Sequence, residues 1–133
     1  MKKRFFINPD IKKAETLPAT FYRDADIFKE IKEKIFVKSW HWIGDENLIT
    51  FSESVFPLTL LENYLDEPIL LSKDKNDNIR CMTNVCTHRG NIVVQHPAKT
   101  KNLMCSYHGR RFELDGTFKR MPEFSETENF PRP

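Results

Sequence analysis

A chain of 133 residues, 39% apolar or aromatic and 30% charged, is one domain's worth of sequence, able to bury roughly two-thirds of its unfolded surface. It has no apolar run near the ~20 residues of a membrane-spanning helix, and its net charge of +2 is too balanced to argue for nucleic acid. Met1-Lys2-Lys3-Arg4 is followed only by Phe5-Phe6-Ile7 before Asn8-Pro9-Asp10, too short for a signal-peptide core, so a cytoplasmic location and no membrane partner are expected.

In chain order, residues 1–20 are expected to be extended and irregular, because Pro9 and Pro18 block a helix. From Asp24 to Lys38 the pattern is that of an amphipathic helix. Ile27, Ile31 and Ile35 recur every four residues with Phe28 and Phe36 beside them, and Asp24 or Asp26 serves as N-cap. This N-terminal lead, residues 1–40, would pack through its Ile/Phe stripe on a domain spanning 41–122. Trp40-His41-Trp42 reads as an aromatic belt around a satisfied core histidine.

Beyond Gly44 the chain turns β-like. Val55–Leu61, Ile69–Ser72 and Ile79–Val85 are strand candidates, with turn chemistry at Asp74–Asn78; Ile92–Gln95 and Leu103–Met104 are shorter ones. Asp115-Gly116 between Arg111–Leu114 and Thr117–Met121 predicts a hairpin with a type I′ turn. The fold class is therefore mainly β, an antiparallel sandwich or small barrel. Cys81 reads as a small buried hydrophobe and His96 as solvated in a loop. Residues 123–133 resemble a linker, and the natural chain is expected to continue past Pro133.

Charge is unevenly spread. Residues 41–79 hold eight acids and two bases, a net of −6; residues 80–121 hold eight bases and two acids, a net of +6. The cysteines, odd in number and three in all, belong to that basic stretch, and a disulfide framework is not expected in a reducing compartment.

Chemistry concentrates in Cys86-Thr87-His88-Arg89-Gly90-Asn91 and Cys105-Ser106-Tyr107-His108-Gly109-Arg110. Each segment offers one thiolate and one imidazole, enough for zinc or an iron–sulfur centre. Zinc sites of this composition usually pair the cysteines on one turn and the histidines on a helix. Here each loop mixes the two, as a Rieske [2Fe–2S] centre requires, since one iron takes two Cys and the other two His. Gly90 and Gly109 follow the histidines closely and permit the tight turns that aim N–H groups at sulfur.

The two motifs, followed by Phe112-Glu113-Leu114-Asp115-Gly116-Thr117-Phe118, resemble the Rieske domain of ring-hydroxylating oxygenase α subunits. Leu17-Pro18-Ala19-Thr20-Phe21-Tyr22 and Ile35-Phe36-Val37-Lys38-Ser39-Trp40 resemble that family's N-terminal approach, so the likeness covers about residues 17–122. The resemblance implies one cluster, with Cys86 and Cys105 on the inner iron and His88 and His108 on the outer. It implies electrons arriving from a reductase or ferredoxin and leaving to a mononuclear-iron catalytic domain, in the same chain or a neighbouring subunit. Arg110 departs from the family, which commonly has Trp there. Gly90, Gly109 and Tyr107 would support the cluster, while Arg89, Arg110 and Arg111 would support it or dock an acidic partner.

The cytochrome bc branch of Rieske proteins is disfavoured. Its inter-loop disulfide would fall at Asn91 and Tyr107, and its Ser and Tyr hydroxyls at Arg110 and Phe112. Without those hydroxyls, and with surface arginines screened by salt, the potential is expected near the low end of the range, about −150 mV rather than +300 mV. Only His41 and His96 remain for a mononuclear iron, so oxygenation is assigned to a domain beyond these residues. The alternatives are a stand-alone Rieske ferredoxin and a zinc-stabilised interaction module.

Overall fold

The computed structural model describes residues 5–124 together with 127, 128 and 130. The chain divides into two units, Met1–His41 and Trp42–Pro133. In the first, Phe5 meets Phe21 edge to face at 5.2 Å, ahead of a 3-10 turn at Phe21–Arg23 and helix α1 at Ala25–Lys34. Asp24 is the N-cap, its carboxylate accepting from the N–H groups of Asp26 and Ile27 at 3.0 and 3.2 Å.

The helix stops four residues short of the expected Lys38. Phe36–Lys38 tightens into a 3-10 turn, and the Ser39 hydroxyl takes the Ile35 carbonyl at 2.6 Å, satisfying an orphan acceptor of the helix end. His41 donates its Nε2–H to the Phe36 carbonyl at 2.7 Å and stacks on the Phe36 ring, so it is satisfied. The expected aromatic belt does not form: Trp40 and Trp42 are 103% and 85% exposed, and His41 is only half-buried.

The second unit holds two antiparallel sheets. Strands β1 (Ser54–Leu60), β2 (Glu67–Lys73), β3 (Ile79–Thr83) and β4 (Ala98–Lys99) form one, in the order β3-β2-β1-β4. Strands β5 (Leu103–Met104), β6 (Arg111–Phe112) and β7 (Phe118–Arg120) form the other, in that order. Four consecutive residues of β2, Ile69–Ser72, are buried, as befits an inner strand. Val55, Leu70, Leu103, Phe112 and Leu114 from both sheets form one core with Cys86 and Cys105. The Ser72 hydroxyl ties the sheets by donating to the Leu114 carbonyl at 2.5 Å. The mainly β class read from the sequence therefore stands.

Three local expectations are corrected. Ile92–Gln95 is not a strand: Ile92 makes one bridge to Val85, and the buried Asn84 amide clamps Val94 through both its N–H and C=O, at 2.9 and 2.7 Å. The Asp115-Gly116 turn is not type I′, which needs positive φ at both central residues. Only Gly116 has it, at +88°, while its N–H bonds the Glu113 carbonyl and Glu113 bonds Thr117. That is a type I turn closed by a glycine bulge, a three-residue loop. Cys81 is exposed rather than buried, because β3 is an edge strand and its Ile79, Cys81 and Thr83 share the open face.

Of the linker-like tail, residues 125, 126, 129 and 131–133 lie outside the described set. Phe124 and Phe130 stack on each other at 4.5 Å, and Phe130 reaches Phe118 of β7 at 5.7 Å. Among the described residues no helix is long and apolar enough to cross a membrane.

Candidate metal centre

Two six-residue loops, 86–91 and 105–110, share one hydrogen-bond pattern. In the first, Cys86 N–H donates to the Asn91 carbonyl at 2.8 Å and Gly90 N–H to the Cys86 carbonyl at 3.0 Å. In the second, Cys105 N–H donates to the Arg110 carbonyl at 2.8 Å and Gly109 N–H to the Cys105 carbonyl at 3.0 Å. The fifth residue of each is a glycine at φ +70° and +71°, a backbone region that penalises any Cβ. Cysteine opens both loops. Histidine falls third in one and fourth in the other.

The cysteines are rooted in the core, 3% and 2% exposed, and belong to one cluster of buried residues. Burial pushes the Cys86 thiol up, opposed by the His88 N–H and the charge of Arg110. Burial also pushes Cys105 up. There the Tyr107 and His108 N–H groups, the Cys86 thiol and the Asn91 amide outweigh it and leave the thiol below its ordinary value. Main-chain N–H groups aimed at sulfur are the arrangement that supports a thiolate ligand.

The histidines lie further out, both half-buried, their rings edge to face with centroids 4.8 Å apart. Burial, then the positive neighbours His108, Arg89 and Arg110, hold the His88 imidazole below its ordinary value, favouring the neutral ring that binds metal. Nδ1 of His108 is buried and has no hydrogen-bond partner. An orphaned imidazole nitrogen beside a second histidine, with two buried cysteines beneath, fits a two-iron group, which takes two ligands per iron.

The other expected residues separate. Tyr107 is 57% exposed, with its ring tilted over His108 at 3.8 Å. Arg89 and Gly90 are exposed beside His88, while Gly109 and Arg111 are half-buried. Arg110 is not a surface docking residue, for it is buried among aromatic rings. His96 is exposed as expected, and His41 belongs to the other unit. Two asparagines escape a reading of the sequence: Asn91, whose amide reaches the Cys105 sulfur, and Asn84, which clamps Val94 just after the first loop. The signal for Asn91 is positional, since it closes the first loop where Arg110 closes the second.

Residues 49–131 match the Rieske [2Fe–2S] domain family. The chain is 30% identical to the carnitine monooxygenase oxygenase subunit of Acinetobacter baumannii over 129 residues, covering 96% of this chain and 33% of that protein. It is 32% identical to the chlorobenzene dioxygenase subunit alpha of a Cupriavidus species over 112 residues, covering 83% and 23%. A solved quaternary ammonium Rieske monooxygenase in complex with L-carnitine has a TM-score of 0.76 at 28% identity, covering 89% of this chain and 33% of that one. The chain thus spans about a third or less of the length of these relatives.

Proposed function

Because the chain belongs to the Rieske [2Fe–2S] domain family, we propose that Cys86 and Cys105 hold the inner iron of its one cluster and His88 and His108 the outer. The domain accepts single electrons from a reductase or ferredoxin and passes them to the mononuclear-iron domain of a ring-hydroxylating type of oxygenase, in the cytoplasm. That acceptor belongs to the same full-length chain or to a neighbouring subunit. Relatives of the chain are oxygenase subunits, and a solved quaternary ammonium Rieske monooxygenase similar to it has given insights into inter-subunit electron transfer, which supports the second route.

The observation that carries this reading is the pair of loops with matched hydrogen bonds, buried sulfurs within and paired imidazoles without. Bound there, the cluster supplies a one-electron couple. The chain does the rest. Core packing around Cys86 and Cys105 keeps water from the sulfurs, and the N–H groups of His88, Tyr107 and His108 stabilise their negative charge. The outward histidines offer the short path to a partner's surface.

Anaerobic reconstitution with iron and sulfide tests the assignment. The expected product is red-brown with a Rieske-type EPR signal that is lost in Cys105→Ser and in Cys86→Ser. A colourless zinc protein, or an intact signal in Cys105→Ser, would overturn it.

A further inference from the structure

We propose that Arg110 is a fixed, largely buried cation that raises the reduction potential of the cluster, closing the loop that carries two of its ligands. The inference rests on the cluster reading above. Arg110 closes the second loop, and its carbonyl holds the Cys105 N–H at 2.8 Å, so its main chain is tied to the segment that carries both ligands. The residue is 8% exposed. The guanidinium carbon lies 4.8 Å from the Phe118 ring centroid, 5.7 Å from Phe112 and 5.8 Å from Phe130. The buried Nε has no hydrogen-bond partner. Ion pairs in this unit join Lys73 to Asp77, Arg80 to Asp74 and Lys119 to Glu113, and Arg110 is in none of these.

A guanidinium does not shed its proton in a protein, so burial cannot be relieved by neutralisation. Aromatic faces return only part of what an unpaired buried ion costs. Negative charge within reach of the guanidinium is therefore favoured. Phe112, which the guanidinium faces, packs in one core with Cys86 and Cys105, so the charge stands against the wall of side chains that encloses the sulfurs. With two thiolates and two neutral imidazoles, the oxidised assembly has no net charge and the reduced one carries a single negative charge. Arg110 therefore attracts the reduced form selectively. Salt screens exposed charges and reaches buried ones much less, so the low potential expected from screened arginines does not follow for this residue.

The test is protein-film voltammetry on the full reconstituted chain, with one electron supplied by the electrode. Arg110→Met should lower the reduced-to-oxidised ratio at fixed potential at least tenfold, about 59 mV for one electron, at low and high salt alike. Arg110→Lys should restore most of the loss, and Arg120→Gln, an exposed base of the same stretch, should change nothing. An unshifted potential in loaded Arg110→Met overturns the proposal. So does a shift that Arg110→Lys reproduces in full, for then shape and not charge sets it. Should Arg110→Met not load, the thermal midpoint of the iron-free chain decides. Removing a buried ion that lacks its counter-charge should leave that midpoint level or higher. A lower one makes Arg110 structural and overturns the proposal. A wild-type chain that takes up no cluster sinks the function reading instead, which keeps the two failures apart.

Discussion

The side-chain amide of Asn91 donates to the Cys105 sulfur at 3.6 Å, joining the last residue of one loop to the first residue of the other. The same nitrogen donates to the Ile92 carbonyl at 2.9 Å, and the Asn91 carbonyl accepts from Cys86 at 2.8 Å. One residue thus braces both cysteines. Donors to sulfur favour the reduced, more negative cluster. Asn91→Leu, close in size but without the donor, should lower the potential by the equivalent of about 1 kcal/mol. It should also speed amide exchange at Cys105. A potential unchanged in a loaded Asn91→Leu protein would show that the Asn91 donor has no part in setting it.

What sequence displays depends on the range of each signal. The ligand motifs, the Asp24 cap and the cores of β1, β2 and β3 are local patterns, legible directly. Cys81 misleads because alternation along β3 does not say which face the second sheet covers. Ile92–Gln95 misleads because a buried side chain earlier in the chain, Asn84, replaces the strand partner that an apolar run suggests. The burial of Arg110 is not legible for a related reason: its aromatic neighbours come from β6, β7 and the tail, and only the fold assembles them.

The two loop glycines should respond differently to the same substitution. Both have left-handed backbone, where a Cβ costs roughly 1–2 kcal/mol. At Gly90 an added Cβ meets nothing within 4 Å, so Gly90→Ala should cost about that strain alone. At Gly109 the Cβ would stand 3.0 Å from Pro122 Cγ and 3.4 Å from its Cδ, and a proline ring cannot swing aside. Gly109→Ala should be the more destabilising in urea denaturation of the iron-free chain. Equal losses would mean that the Pro122 segment yields freely.

Acid should loosen the β2–β3 turn. The Asp74 carboxylate accepts from the Arg80 guanidinium at 2.9 Å, from the Asn78 side chain at 3.0 Å and from the N–H groups of Asn78 and Asn76. Led by Arg80 and Asn78, these donors hold its carboxyl well below the usual carboxylate range. A depressed folded value means the stabilisation is complete above the unfolded value, about pH 4, and drains away as pH falls through the folded one. The thermal midpoint should therefore drop below about pH 4, and Asp74→Asn should show a shallower drop from a lower start. Parallel profiles for the two proteins would assign the acid sensitivity elsewhere.

Removing iron should lower the midpoint and act locally. Metal and sulfide bridge loops far apart in sequence, so their binding free energy becomes folding free energy. Yet each loop already closes on its own hydrogen bonds, and the two sheets share a core built mostly of aliphatic and aromatic side chains. The iron-free chain should stay folded, with amide exchange rising around Cys86–Asn91 and Cys105–Arg110 and little at β1 and β2. Exchange that rises uniformly would mean the cluster holds the whole unit together.

Docking should depend on a single arginine more than on the net +6 of residues 80–121. The fold occupies several of those charges: Arg80 pairs with Asp74, Lys119 with Glu113, Lys99 lies over Phe51 at 4.3 Å, and Arg110 is buried. Arg89 is exposed and adjoins His88 in the sequence, at the end of the domain where electrons would enter, while Arg111 is half-buried. Steering by complementary charge raises association rates by about 10-fold to 10³-fold and fades with salt. Arg89→Glu should slow reduction by an acidic ferredoxin or reductase about tenfold at low ionic strength and flatten the salt dependence, with Arg111→Glu weaker in both. Stopped-flow reduction across a salt series measures this. Rates indifferent to Arg89→Glu would move the docking surface away from the histidine-bearing loops.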